Sequence, residues 1–330
     1  MQCHCSSCGS AFEAEPIGGH RVMCGDSTDP AQVGLLMAGE VADLCFTSPP
    51  YGQQRDYTAA IGSWDTLMQG VFAALPMRHD GQVLVNLGMV HRDNEWQPYW
   101  DGWISWMRSR GWRRFGWYVW DQGPGLMGNW NGRLAPAHEW IFHFNRESVQ
   151  ARKSKAKKPE NIRVRTGGTL RMADGSIPEA SSPRKGLQKS KIPDSVVRVL
   201  RRFDDLAIAL LEIPDEMIVH WPESVIRLMR HKGAIAKNLK HPAPFPVALP
   251  VEMLLAYSDA GDLLYEPFCG AGSTTIAAEI HGRRCFGMEI APEYTDVIVE
   301  RWQRFTGGAA VREADSAAFS EAVSARVAAE

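Results

Sequence analysis

The chain has 330 residues, of which 45% are hydrophobic and 22% charged, and its formal net charge is -2. That length suits one large α/β domain with an insertion, or two domains. No run of about 18 apolar residues occurs, which excludes a membrane-spanning helix, and the near-zero charge gives no global sign of a nucleic-acid partner.

The start, Met1-Gln2-Cys3-His4-Cys5, lacks the apolar core of a secretory signal, so a cytoplasmic location is expected. Seven cysteines without such a signal suggest free thiols, with Cys45, Cys269 and Cys285 as small buried hydrophobes. Cys3-His4-Cys5-Ser6-Ser7-Cys8-Gly9 looks like one knuckle of a zinc ribbon. Cys3, Cys5 and Cys8 would supply three ligands, and His4, His20 or Cys24 a fourth. A frayed terminus without metal is the alternative, and the one expected.

His20 to Cys24 reads as a short strand ending in Gly25-Asp26. Pro30 to Met37 has helical spacing at Val33, Leu36 and Met37, stopped by Gly39. Asp26 is a candidate N-cap for that helix. Val41 to Phe46 is a β-prone apolar run that stops at Pro49-Pro50. Two prolines fix two φ angles and remove two donors. The result is a stiff loop at the carboxyl end of a strand, where open α/β sheets bind ligands. Ser48 offers a hydroxyl, Pro49 a carbonyl and Tyr51 an aromatic face, parts that suit a flat heterocycle bearing an amine. Trp64 to Leu75 is a plausible helix and Gly81 to Leu87 a strand. Trp96, Trp100, Trp103 and Met107 fall on one helical face. Phe115 to Trp120 and Glu139 to Phe144 read as two more strands, joined through a stretch rich in Gly and Asn.

Ala151 to Lys191 has no apolar period and carries 12 Lys or Arg against 3 Asp or Glu. A local charge of about +9 is a directed basic patch; a solvated linker is the alternative. Arg152, Lys153, Lys155, Lys157, Lys158, Arg163 and Arg165 are its candidate nucleic-acid contacts. Pro222 to Arg230 suits a helix with proline in its first turn, and Val251 to Tyr257 another. Tyr265-Glu266-Pro267-Phe268-Cys269-Gly270-Ala271-Gly272-Ser273-Thr274-Thr275 follows an apolar run and opens a helix. Gly270 and Gly272 let backbone approach a ligand, and the helix start presents free amides to an anionic group. Gly-x-Gly-x-x-Gly and Gly-Lys-Thr are both missing, which argues against dinucleotides and nucleoside triphosphates. Arg284 to Glu289 is a strand ending in an acid that can take both hydroxyls of a ribose.

Together, Thr47-Ser48-Pro49-Pro50-Tyr51 and Tyr265 to Thr275 resemble the DNA amino-methyltransferases that act on N4 of cytosine or N6 of adenine. The first matches the family's (Asp/Asn/Ser)-Pro-Pro-(Tyr/Phe) catalytic motif, and the second its S-adenosylmethionine loop. Catalytic motif first and cofactor loop late is the order of the circularly permuted β group. The resemblance covers about residues 20–145 and 236–307. It implies a class I, Rossmann-like methyltransferase fold, with a seven-stranded, mostly parallel sheet and helices on both faces. The implied organisation is a tail at 1–19, a catalytic half at 20–147 and a basic target-recognition insertion at 148–235. A cofactor half at 236–307 and a tail at 308–330 follow.

The resemblance also assigns roles. Ser48, Pro49, Pro50 and Tyr51 are catalytic. Asp26, Thr47, Glu266, Phe268, Gly270, Gly272, Ser273, Thr274 and Glu289 bind the cofactor. His241 and Phe245 line its methionine end. Glu266 stands where the family usually has aspartate, and Ser48 where many adenine enzymes have it. The expected substrate is double-stranded DNA with its target base flipped out, with N4 of cytosine favoured over N6 of adenine. A cognate restriction endonuclease is a candidate partner, and a non-catalytic DNA-binding regulator on the same fold is the competing class.

Overall fold

The computed structural model describes residues 19–51, 63–122, 132–134, 136–152, 245–312, 316–319 and 321. It also describes the backbone of short strands at 2–5, 12–13, 155–156, 190–191 and 196–198. Chain order brings β1 (Gln2–Cys5), β2 (Phe12–Glu13), β3 (Arg21–Cys24), α1 (Pro30–Met37), β4 (Ala42–Thr47) and α2 (Trp64–Ala73). Next come β5 (Met77–Leu87), a hairpin of β6 (Val90–Arg92) and β7 (Glu95–Gln97), α3 (Asp101–Ser109), β8 (Arg113–Asp121) and β9 (His138–Asn145). Three short strands follow: β10 (Lys155–Ala156), β11 (Ser190–Lys191) and β12 (Val196–Arg198). The last part holds α4 (Ala248–Tyr257), β13 (Leu263–Glu266), α5 (Ser273–Ile280), β14 (Arg284–Glu289), α6 (Pro292–Thr306) and β15 (Val311–Arg312).

Local chemistry sets the helix ends. α1 opens on Asp29, whose side chain accepts from the Ala31 amide, with Pro30 in the first turn. Asp29 rather than Asp26 is therefore the cap. α6 also opens on a proline, Pro292, and stops at Gly307 with φ 70°.

Seven strands form the heart of the sheet, in the order β3-β14-β13-β4-β5-β9-β8. The five from β3 to β5 pair in parallel, and β9 runs antiparallel to both β5 and β8. β12 extends the β8 edge in parallel, and β1, β15 and β2 lie beyond β3. Residues alternate between two cores, as a pleated strand requires. Leu44, Phe46, Leu84, Leu264 and Cys285 face a core with Met253, Ile276, Ile298 and Trp302 of α4, α5 and α6. Cys45, Val83, Val85, Tyr265 and Phe286 face the other, with Leu36, Phe72, Trp103 and Met107 of α1, α2 and α3. The thiols of Cys45, Cys269 and Cys285 are free and buried, and the buried Cys24 thiol lies 3.8 Å from the Ile290 carbonyl. Among the described residues no helix is long and apolar enough to cross a membrane.

Some expectations need correction. Trp96 is not on the helix of Trp103 and Met107. It lies in β7, 58% exposed, because Asp93 and Asn94 both adopt positive φ (51° and 65°) and close a two-residue hairpin. β5 starts at Met77, four residues before Gly81, and α2 ends at Ala73 rather than Leu75. The helix expected over Pro222 to Arg230 and the side chains of Cys3, Cys5 and Cys8 lie outside the described residues.

Candidate active site

The parallel pairing puts the carboxyl ends of β4, β5, β13 and β14 on one edge, together with the amino end of antiparallel β9. β4 and β13 are neighbours, with Leu44 opposite Leu264 and Cys45 opposite Tyr265. The loop Ser48–Tyr51 and the loop Pro267–Gly272 therefore leave adjacent strands.

Ser48 is half-buried and Tyr51 is 6% exposed. The Tyr51 hydroxyl donates to Glu139 Oε2 at 2.5 Å. Asn86 Nδ2 lies 2.7 Å from the same carboxylate oxygen, 3.0 Å from Tyr51 Oη and 3.4 Å from Ser48 Oγ. Ser48 Oγ is 3.4 Å from Tyr51 Oη. Burial first, and the Glu139 charge second, push the phenol well above its ordinary range. Tyr51 is thus a neutral donor. Its ring packs on Gly88, where an added Cβ would lie 2.5 Å from Tyr51 Cε2. The Pro50 carbonyl accepts from Trp64 Nε1 at 2.8 Å, so the indole engages one of the two proline carbonyls.

Past the end of β8, the Gln122 amide donates to the Ala137 carbonyl at 2.8 Å. Trp120 pairs with Glu139 across the strands, and alternation puts Gln122 on the same sheet face. Gln122 Nε2 and Trp120 Nε1 are buried and have no hydrogen-bond partner among the described residues.

In the second loop, Gly270 and Gly272 have φ of 55° and 74°. Gly272 caps α5 and packs so closely on α6 that a Cβ would lie 2.9 Å from Ile298 Cγ2. Glu289 Oε2 accepts from the Gly270 amide at 2.8 Å, and its Oε1 from the Ala291 amide at 3.1 Å. Burial raises its carboxyl above the ordinary range. Glu266 is fully buried, and its Oε2 accepts from Thr274 Oγ1 at 2.7 Å. Burial pushes its carboxyl up to about 8, opposed by the hydroxyls of Thr47 and Thr274 and the Phe268 amide. Arg301 of α6 donates to the Ala271 carbonyl and to Ser273 Oγ, and Ser273 in turn donates to the Phe245 carbonyl. The loop is thus tied from both sides.

Asp26 stands beside Glu289: the Gly25 amide donates to the Glu289 carbonyl at 2.9 Å, and Asp26 Oδ1 accepts from Thr28. Arg152 is elsewhere. It forms an ion pair with Asp259, just before β13 begins, on the edge opposite Ser48. Its guanidinium holds the Asp259 carboxyl below its usual range. His241, Lys153, Lys157, Lys158, Arg163 and Arg165 lie outside the described residues, as does the side chain of Lys155.

Sequence reading missed Asn86, Gln122 and Glu139. The signal was there for Asn86, a polar residue inside the apolar run Val83 to Leu87. Glu139 was seen only as the first residue of a strand.

Two carboxylates, a glycine-rich turn of positive φ and a helix start at adjacent strand ends suit a ligand carrying a cation, a carboxylate and a diol. A Ser-Pro-Pro-Tyr loop faces them, on the sheet order of a class I, Rossmann-like methyltransferase. The chain belongs to the DNA methylase family, whose sequence profile matches residues 42–300. It is 38% identical over 66 residues to the orphan methyltransferase M.BamHII of Bacillus amyloliquefaciens, covering 20% of this chain and 25% of that protein. It is 38% identical over 61 residues to the DNA adenine methyltransferase YhdJ of Escherichia coli strain K12, covering 18% and 21%. The chain thus spans about a quarter or less of the length of these curated relatives. In structure it is similar to the PvuII DNA methyltransferase (cytosine-N4-specific), with a TM-score of 0.52, 17% identity, and coverage of 87% of this chain and 90% of that one. At that identity the likeness is one of fold.

Proposed function

We propose that this protein transfers a methyl group from S-adenosylmethionine to the exocyclic amine of a base in double-stranded DNA, with N4 of cytosine as its target. The observation that carries this reading is the pairing of β4 with β13, which sets the Ser48–Tyr51 loop beside the Glu266–Thr274 loop. S-adenosylmethionine supplies an electrophilic methyl group on a sulfonium. Glu289 takes its ribose, Glu266 its ammonium end, and the backbone at Gly270 and Gly272 makes room for it. Ser48 and the Pro49 carbonyl accept from the target amine and aim the nitrogen lone pair. The base reaches the site by flipping out of the duplex, because its amine is inaccessible in the stack. Positioning and exclusion of water are what this chain adds to the rate.

Gln122 supports cytosine over adenine. On its Watson–Crick edge cytosine presents two acceptors after its amine, N3 and O2, whereas adenine presents only N1 on that edge and carries N7 on the other side of its amine. A buried amide donor near Glu139 suits the pyrimidine. The resemblance to YhdJ favours adenine as the second reading. The deciding experiment is tritiated-methyl transfer to unmethylated DNA, digestion to nucleosides and mass spectrometry. N4-methyldeoxycytidine is expected. N6-methyldeoxyadenosine as the labelled product overturns the choice of base, and no labelled nucleoside overturns the enzyme. Gln122→Leu should lower turnover about tenfold or more, as for a lost specific hydrogen bond in a buried site, with cofactor affinity intact. Full turnover in that variant removes Gln122 from base reading.

A further inference from the structure

We infer that Glu139 is the terminal proton acceptor of the methyl-transfer site, reached from Ser48 through the Tyr51 hydroxyl and held in line by Asn86. This rests on the methyltransferase reading and adds a residue that neither loop motif contains.

The methylated amine must lose a proton. Ser48 stands where many similar adenine enzymes carry an aspartate, so the stretch Ser48–Tyr51 has no charge of its own to receive it. The structure brings a carboxylate in from another strand. Glu139, 3% exposed, is the second residue of β9, on the edge where the two loops emerge. Its Oε2 is 2.5 Å from Tyr51 Oη, which is 3.4 Å from Ser48 Oγ. Asn86 is fully buried and touches all three groups through Nδ2. An amide nitrogen donates and cannot accept, so it orients the oxygens without breaking the line. The family motif allows Tyr or Phe at this place, and only Tyr can carry a proton onward.

The step balances. The amine nitrogen bonds to the methyl carbon as the carbon–sulfur bond breaks, and the electron pair stays on sulfur. The nitrogen then bears one proton too many. That proton passes to Ser48 Oγ, the serine proton to Tyr51 Oη, and the tyrosine proton to Glu139 Oε2. Both hydroxyls end neutral, which suits a phenol too buried to ionise. Glu139 ends protonated and returns the proton to water on product release. Among the described residues, the titratable groups around this line include Tyr51 itself, Tyr99 beside it, and His143 and Tyr118 further down β9 and β8. Burial holds the His143 imidazole down at about 3, so it stays neutral.

The test is single-turnover methyl transfer to DNA across pH, with saturating S-adenosylmethionine, for wild type, E139Q, E139D and Y51F. E139Q should slow transfer by about a hundredfold, the lower end of what a proton acceptor contributes, with cofactor and DNA affinity unchanged. Wild type should lose rate towards acid pH, where a carboxyl already protonated cannot take the proton. E139Q should be flat there, Y51F should match it, and E139D should recover part of the rate. Where E139Q does not fold, Y51F, which keeps the ring, carries the same test. Wild-type transfer with an unchanged rate and pH limb in either variant overturns the relay alone. Wild type that methylates no DNA overturns the methyltransferase reading, and the relay with it.

Discussion

Glu266 shows how one buried acid couples pH to both stability and binding. Its carboxyl is pushed up to about 8 in the fold, against an ordinary value of 4.5. Between those two values the folded chain holds a proton that the unfolded chain has lost. Its contribution to stability is therefore full below the lower value and gone once pH passes the upper one. A cationic ligand prefers the ionised form, so affinity for S-adenosylmethionine should run the other way and rise with pH. Glu266→Gln should weaken cofactor binding and abolish its rise between pH 6 and pH 9, read by titration calorimetry. A wild-type affinity that is level over that range takes Glu266 away from the ligand. Glu289 differs, because two backbone amides already bind its oxygens. Glu289→Ala should lower cofactor affinity about tenfold or more through a lost charge-assisted contact, and it should also loosen the Gly270 turn. Unchanged isotherms in a folded variant would count against both roles. Gly88→Ala tests the seat of Tyr51. An added methyl 2.5 Å from Cε2 must move the ring, at about 1–3 kcal/mol of overpacking strain. The expected result is a lower melting temperature and lost turnover with normal cofactor binding.

At the scale of elements, the basic segment and the sheet give different expectations for neighbouring cations. Arg152 is bound to Asp259 at the amino end of β13, away from Ser48. Arg152→Ala should leave DNA affinity nearly as it was. Neutralising Lys153, Lys155, Lys157 and Lys158 together should weaken DNA binding and flatten its salt slope, by up to about 0.9 per phosphate contact. A salt slope equal to wild type in the fourfold variant makes the segment a linker. The hairpin β6–β7 shows where periodicity misleads. Trp96 keeps helical spacing from Trp100 by coincidence, while the Asp93-Asn94 pair just before it carries the turn signal that decides the local fold.

In the whole molecule, what was legible came from strong local chemistry. Short apolar runs mark β4, β5, β13 and β14, and proline and glycine punctuate the two loops that follow β4 and β13. Glu139 and Gln122 were not legible, because their place at the site comes from β9 running antiparallel between β5 and β8. No local pattern announces which end of a strand will face a loop some 90 residues earlier in the chain.

The seam between β4 and β13 has a consequence for the order of events during synthesis. Leu263 reaches Asp43 across a separation of 220 residues. At the usual pace of translation, roughly ten to forty seconds pass between the appearance of the two strands. For that time β4 waits without its neighbour, and its apolar run Leu44-Cys45-Phe46 borders an open sheet edge, a template for pairing with other chains. A nascent chain stalled before residue 263 should therefore bind holdase chaperones and aggregate when released. Release after residue 289 should yield soluble protein, and a sedimentation assay on staged ribosome-released fragments would read the difference. Equal solubility of the two fragments would mean that β4 is shielded by something other than its late partner.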